Sequence, residues 1–244
     1  MANPSSDLKL AEYLHEQQSL FRSATQQFRE KSDKASLSSA AEWMADNFYL
    51  AQQTCRQIRE DMPRGFYRQL PQIAAGDLAG YPRIYAVAQE LVVTSEAHLD
   101  MSRVNRFVHL YQDLTPLTTG ELWALPVMLR LALVEFLARA LSHLTDLPRA
   151  RALAALPLPH ALSDDLMVAN CIISLRLLAI QDWQNFFESV SRVEQILRGD
   201  PANVYANMDR ETRDRYRKVI EELARATGKD EQRVAREAID LART

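Results

Sequence analysis

Glycine is scarce in this chain: 6 residues in 244. That is too few for the tight turns an all-β protein of this length needs. Cysteine is scarcer still. Cys55 and Cys171 are far apart and lack any C-x-x-C context, so neither a disulfide framework nor a zinc knuckle can be drawn from them. They read as buried or half-buried thiols of a reducing compartment. Charge of one sign is also missing, because 29 basic residues face 32 acidic ones and the net charge is −3. No basic stripe is available for a nucleic-acid partner. Nor is there a long uncharged apolar run. A membrane span needs about 18 such residues, and the best stretch, 122–137, is interrupted by Arg130 and Glu135. The N-terminal MANPSSDLKLAEYLHEQ has no apolar core of a signal peptide. The expectation is a soluble chain in the cytoplasm.

Catalytic signatures are absent as well. No H-E-x-x-H, G-x-G-x-x-G, P-loop or G-x-S-x-G pattern occurs. The five histidines, at 15, 98, 109, 143 and 160, are dispersed. Asp164-Asp165 has no further acid at helical spacing and suits the first turn of a helix, where carboxylates complement the dipole. Arg198-Gly199-Asp200 spells an adhesion tripeptide that a helix end followed by a turn explains.

What is present is helix. Hydrophobic residues make up 47% of the chain, with Leu and Ala dominant. Capping chemistry marks the helix starts. Ser39-x-x-Glu42 and Thr118-x-x-Glu121 fit the capping box, Pro82 fits a first helical position, and Asp100, Ser163, Asp182, Asp209 and Asp230 fit N-caps. Gly199 and Gly228 fit C-termini. The pattern predicts an all-α bundle of eight to ten helices, at about 7–31, 40–61, 82–95, 101–113, 119–145, 164–180, 183–198, 210–227 and 231–243. The most apolar of these, 119–145, is expected at the centre. Two connections, 62–81 and 146–163, are rich in proline, the first also in glycine. A break at 199–208 divides a main bundle, 1–198, from a charged helical pair, 199–244, expected to pack on the bundle and to show solvated faces laced by i,i+4 pairs.

The central helix poses a question. Arg130 falls on its apolar side, four residues after a helix-bending Pro126. A buried guanidinium needs a partner. On a helical wheel Asp46 and Asn47 share the Trp43–Leu50 face of the second helix, and Asn170 shares a face with Leu166, Ile173 and Leu177. These residues, Asp46, Asn47, Arg130 and Asn170, form an expected buried polar network that fixes helix packing, the alternative being a polar pocket that binds a ligand, with Asp46 the first choice of partner for Arg130. A binding role has its best candidates in REDMPRGFYRQLP, where Arg64, Tyr67 and Arg68 could hold a phosphate or carboxylate or tie the connection to helix C-termini. The run DWQNFFESV is amphipathic, with Trp183, Phe186 and Phe187 facing a core.

Five segments, EWMADNFYL, REDMPRGFYRQLP, LAGYPRIYAVAQELV, LTTGELWALPVMLRLALVE and DPANVYANMDRETRDRYRKVIEELAR, resemble the N-terminal cytoplasmic region of the cyclic β-1,2-glucan synthases. They lie in the family's order over most of residues 40–244; VEFLARA departs where the family more often has a more basic helix end. The resemblance implies a much longer bacterial membrane polypeptide, at the inner membrane; this chain is expected to be a fragment of it leading from 199–244 toward the membrane part, the alternative being a separate product made of the helical region alone. It implies UDP-glucose and a divalent metal for that parent enzyme, and the remaining domains of the parent as partners. The transferase motifs of the family, a D-x-D and a Q-x-x-R-W, do not occur here, so no catalytic residue and no metal ligand carries over. The reading is a non-catalytic helical domain that scaffolds or regulates glucan synthesis. The alternative is an independent helical module that binds a glucan or a nucleotide sugar.

Overall fold

The computed structural model describes residues 6–32, 38–62, 65–76, 78–148 and 162–243. Among these the protein is all α, with eleven α-helices and no strand; one isolated antiparallel bridge joins Gln72 to Pro82. The helices are α1 (Ser6–Ser32), α2 (Ser39–Glu60), α3 (Phe66–Gln69), α4 (Arg83–Thr94), α5 (Met101–Leu114), α6 (Thr119–Leu144), α7 (Asp164–Ile180), α8 (Trp183–Val190), α9 (Arg192–Leu197), α10 (Arg210–Thr227) and α11 (Glu231–Leu241). The connection at 62–81 contains the single turn α3, and the break at 199–208 contains a 3₁₀ turn, Tyr205–Asn207. Most of the proline-rich connection at 146–163 lies outside the described residues.

The caps explain where the helices begin. Ser163, Asp182, Asp209 and Asp230 each accept a backbone N–H from the first turn of the helix that follows. Thr118 and Glu121 form a reciprocal capping box: Thr118 N donates to Glu121 Oε2 at 2.9 Å, and Glu121 N donates to Thr118 Oγ1 at 3.2 Å. Two expected caps shift by one residue. The α2 cap is Ser38, whose hydroxyl accepts from Ala41 N, and Pro82 is the cap of α4 rather than its first residue. Gly228 ends α10 in the left-handed conformation, φ 68°. Gly199 is not left-handed; a Cβ there would meet Ile196 O at 3.1 Å. The expected helix 183–198 is two helices, because Ser191 both ends α8 and caps α9.

The chain forms two compact units. The first comprises 1–104 and 124–181, so it holds α1 to α4, most of α6, and α7. Its part of α6 is almost wholly buried, from Leu125 through Met128, Leu129, Leu133, Phe136 and Leu137 to Leu141. The helix runs unbroken through Pro126. Tyr13, Leu14 and Phe21 of α1 and Met44, Ala51, Cys55 and Ile58 of α2 complete this core. The second unit comprises 105–123 and 182–244. Its core gathers Val193 and Leu197 of α9, Tyr205, Ile220 and Ala224 of α10, and Val234, Ala235 and Ile239 of α11. Trp123 stacks on Phe187 there, with ring centroids 4.4 Å apart.

Candidate functional site: two buried polar nodes

The residues singled out from the sequence do not converge on one place. Arg130 is 9% exposed. Its Nη2 donates to the carbonyl of Leu178 at 3.2 Å, and its Nη1 lies 3.6 Å from Asp61 Oδ2. Burial lowers its pKa, and the charge of Asp61 opposes that shift. Asp46 is exposed and is not the partner. The wheel misplaced the core face of α2 by weighting Trp43, which is only half-buried. The buried stripe is Met44, Asn47, Ala51, Thr54, Cys55 and Ile58, built mostly of smaller residues. Asn47 donates to Trp43 O at 2.8 Å and accepts from Arg176, whose guanidinium also lies over the Trp43 ring.

Asn170 serves a different element. Its Nδ2 donates to Glu96 O at 2.9 Å, and one turn on, Ser174 Oγ donates to Ala97 O at 2.6 Å while accepting from Leu99 N at 2.8 Å. Glu96 and Ala97 have φ of 53° and 58°, a left-handed pair built without glycine. Helix α7 therefore holds a strained turn at the end of α4. Its residues Asn170, Ser174, Arg176 and Leu178 serve all three sites, which is the relation the wheel did not show.

Among the ligand-binding candidates, Arg64 lies outside the described residues. Tyr67 is half-buried and Arg68 exposed on α3, and both are engaged by other groups of the protein. Asp165 caps α2, accepting from Ala40 N at 3.0 Å, and Asp164 lies 3.2 Å from His143 Nδ1. Both cysteines are fully buried. Burial pushes the Cys55 thiol up to about 12 and raises Cys171 further, which leaves neither a nucleophile at neutral pH. Among the described residues no group of three or more His, Cys, Asp or Glu side chains could hold a metal ion. No single helix among them is long and apolar enough to cross a membrane.

Two dense polar nodes were not read from the sequence. In the first unit Tyr85 Oη donates to Glu135 Oε2 at 2.6 Å, and Gln89 Nε2 donates to Tyr85 Oη at 2.6 Å and to Glu135 Oε2 at 3.2 Å. All three side chains are buried. In the second unit Glu194, with 0% exposure, is the centre of a larger node. Its Oε1 accepts from Arg198 Nε and Arg213 Nη1, each at 2.8 Å, and its Oε2 accepts from Tyr205 Oη at 2.7 Å and from Arg217 Nη1. Arg213 and Arg198 each reach Glu188 as well, at 2.9 and 3.1 Å. Arg217 also pairs with Asp214 and lies over the Phe187 ring at 5.2 Å. Burial pushes the Glu194 carboxyl up, but the bonds from Tyr205 and Arg217 outweigh it and hold the group below its ordinary value. Asp200 supports Tyr205, accepting from the amides of Val204 and Tyr205 at 2.9 and 3.1 Å.

The Glu194 node could have been suspected from one signal. On α10 the residues Arg213, Arg217, Ile220 and Ala224 lie on one face, and that face is the buried one. Two arginines on an apolar stripe demand a buried acid, and Glu194 is the acid.

No family model matches the chain. The cyclic beta-(1,2)-glucan synthase NdvB of Rhizobium meliloti (strain 1021) is 29% identical to it over 276 aligned residues, which cover 85% of this chain and 10% of that protein. The chain thus spans about a tenth of the length of that relative. With the all-α architecture, the chain is thus distantly similar to one segment of a cyclic β-1,2-glucan synthase.

Proposed function

We propose that this chain is a non-catalytic helical domain of a cyclic β-1,2-glucan synthase, situated N-terminal to the transferase on the cytoplasmic side of the inner membrane. It scaffolds or regulates UDP-glucose-dependent glucan synthesis by the remaining domains of the parent polypeptide, which are its partners. One observation carries the reading. Polar residues of the segments that resemble the family point into the protein: Tyr85, Gln89 and Glu135 bond to one another, and Tyr205, Arg213 and Arg217 bond to Glu194. Acids and arginines that pair with one another inside the protein hold helices together, which supports a structural role for these nodes. UDP-glucose and the divalent ion belong, on this reading, to the transferase of the parent.

Calorimetric titration of the purified chain with UDP-glucose, and separately with β-1,2-linked gluco-oligosaccharides, tests this reading. The expected result is no saturable heat up to millimolar ligand. Stoichiometric binding that is lost on substituting Tyr67 or Arg68 would establish a ligand-binding module instead.

A further inference from the structure

The core of the first unit contains more polar atoms than its own hydrogen bonds satisfy. Tyr13 and Gln17 lie one turn apart on α1 and so share a face. They are 1% and 0% exposed. Tyr13 Oη, Gln17 Nε2, Gln17 Oε1 and Gln89 Oε1 are all buried without a hydrogen-bond partner among the described residues. Gln89 belongs to the Tyr85–Gln89–Glu135 node, and Tyr13 lies near enough to sense the Glu135 charge. After burial itself, the charge of Glu135 is the main influence on the Tyr13 phenol, followed by Cys55, and Tyr85 in turn senses Tyr13. Four helices, α1, α2, α4 and α6, thus bring polar groups to one enclosed place.

The chemistry of the orphan atoms is specific. Tyr13 offers one donor, and its oxygen also accepts; Gln17 offers two donors and one acceptor; Gln89 offers an acceptor. Donors and acceptors are balanced and carry no formal charge. That set does not suit an anion, which would meet the Glu135 carboxylate, nor an apolar guest, which would leave every orphan unpaired. It suits a molecule that donates and accepts in equal measure. Buried waters do this, making about three hydrogen bonds each to otherwise unpaired groups.

We infer that Tyr13, Gln17 and Gln89 form an internal hydration site that binds at least one ordered water beside the Tyr85–Glu135 pair. The water joins α1 to the polar node between α4 and α6. Polar side chains at these positions of α1 then act as a joint, where apolar ones would only fill space.

Substitution separates this from a set of merely unpaired groups. Tyr13→Phe and Gln17→Met remove the polar atoms and keep nearly the same volume. If water bridges the groups, each change lowers the melting temperature by about 2–4 °C. If the groups are simply unpaired, removing them relieves a burial penalty and raises it. An unchanged or raised melting temperature in both variants overturns the inference. A high-resolution crystal structure of the unaltered chain gives a second reading, independent of how the variants fold. Solvent density within hydrogen-bond distance of Tyr13 Oη and the Gln17 amide supports the site. A direct bond between Tyr13 and Gln17 or Glu135, with no such density, overturns it.

Discussion

Glu194 and Arg217 meet where neither side chain is open to water: the carboxylate is 0% and the guanidinium 2% exposed, and Arg217 Nη1 donates to Glu194 Oε2. Tyr205, Arg198 and Arg213 also donate to the same carboxylate. The consequence is a node that ties α9 to α10 and to the turn between them by charge as well as by packing. A pair of this kind is costly to break from one side, because the survivor stays buried and unpaired.

Glu194→Gln is therefore expected to destabilise the protein by about 3–5 kcal/mol. Denaturant unfolding followed by circular dichroism measures it. The pH dependence has a definite sign. The folded carboxyl is held below its ordinary value of 4.5, so its contribution is fully present above that value and is lost as the pH falls through the lower folded one. Acid melting of the unaltered chain should steepen below about pH 4.5, and Glu194→Gln should remove that part of the acid dependence. Glu231 is the control. It is raised by burial, with Thr119 N and Oγ1 donating to it at 2.8 and 2.6 Å. A raised carboxyl opposes folding above its unfolded value and does so less as the pH falls. Glu231→Gln, which keeps an acceptor for Thr119, should be tolerated at neutral pH.

Arg130→Ala is expected to cost about 1–3 kcal/mol. The loss is the bond to the Leu178 carbonyl and the packing of the side-chain stem. Asp61 is 52% exposed and can turn to water when its partner is removed. Asp61→Asn should accordingly change stability by less than about 1 kcal/mol. Arg130→Met keeps volume and should fall between Ala and the unaltered protein. Thermal melts of the three variants check the order.

The left-handed turn at Glu96–Ala97 gives a third expectation. Ser174→Ala removes the acceptor of Leu99 N and the donor to Ala97 O, and should cost about 1–3 kcal/mol. Ala97→Gly removes a Cβ from a position with φ 58° and should leave stability unchanged or raise it. Opposite signs in paired melting curves are the result to look for.

Much of the fold was legible because helix starts carry their own chemistry. Asp182, Asp209 and Asp230 announced three helices, and Thr118 with Glu121 announced the central one. The break at Ser191 was not legible, since a serine inside an amphipathic run can sit in a helix or cap one, and only packing decides. The polar interior was the larger loss. Charged residues of α10 and α11 were expected at i,i+4 pairs on solvated faces, and Arg215–Glu211, Arg225–Glu221 and Arg233–Glu237 are such pairs. Arg213 and Arg217 on the same helix go the other way, into the core. Spacing places both arginines on the Ile220–Ala224 stripe, but it cannot name their acid, which arrives from a preceding helix. The partner of Arg130 was misread for the same reason: Asp61 lies at the C-terminal end of α2, beyond the part of the helix whose wheel was read.

Glucosyl transfer tests the central claim most directly. The purified chain, incubated with radiolabelled UDP-glucose and either Mg²⁺ or Mn²⁺, should incorporate no glucose into glucan above a protein-free control. A helical domain that scaffolds or regulates the transferase of its parent, with no transferase site of its own, gives that result. Steady incorporation that a single substitution within residues 1–244 abolishes would contradict it.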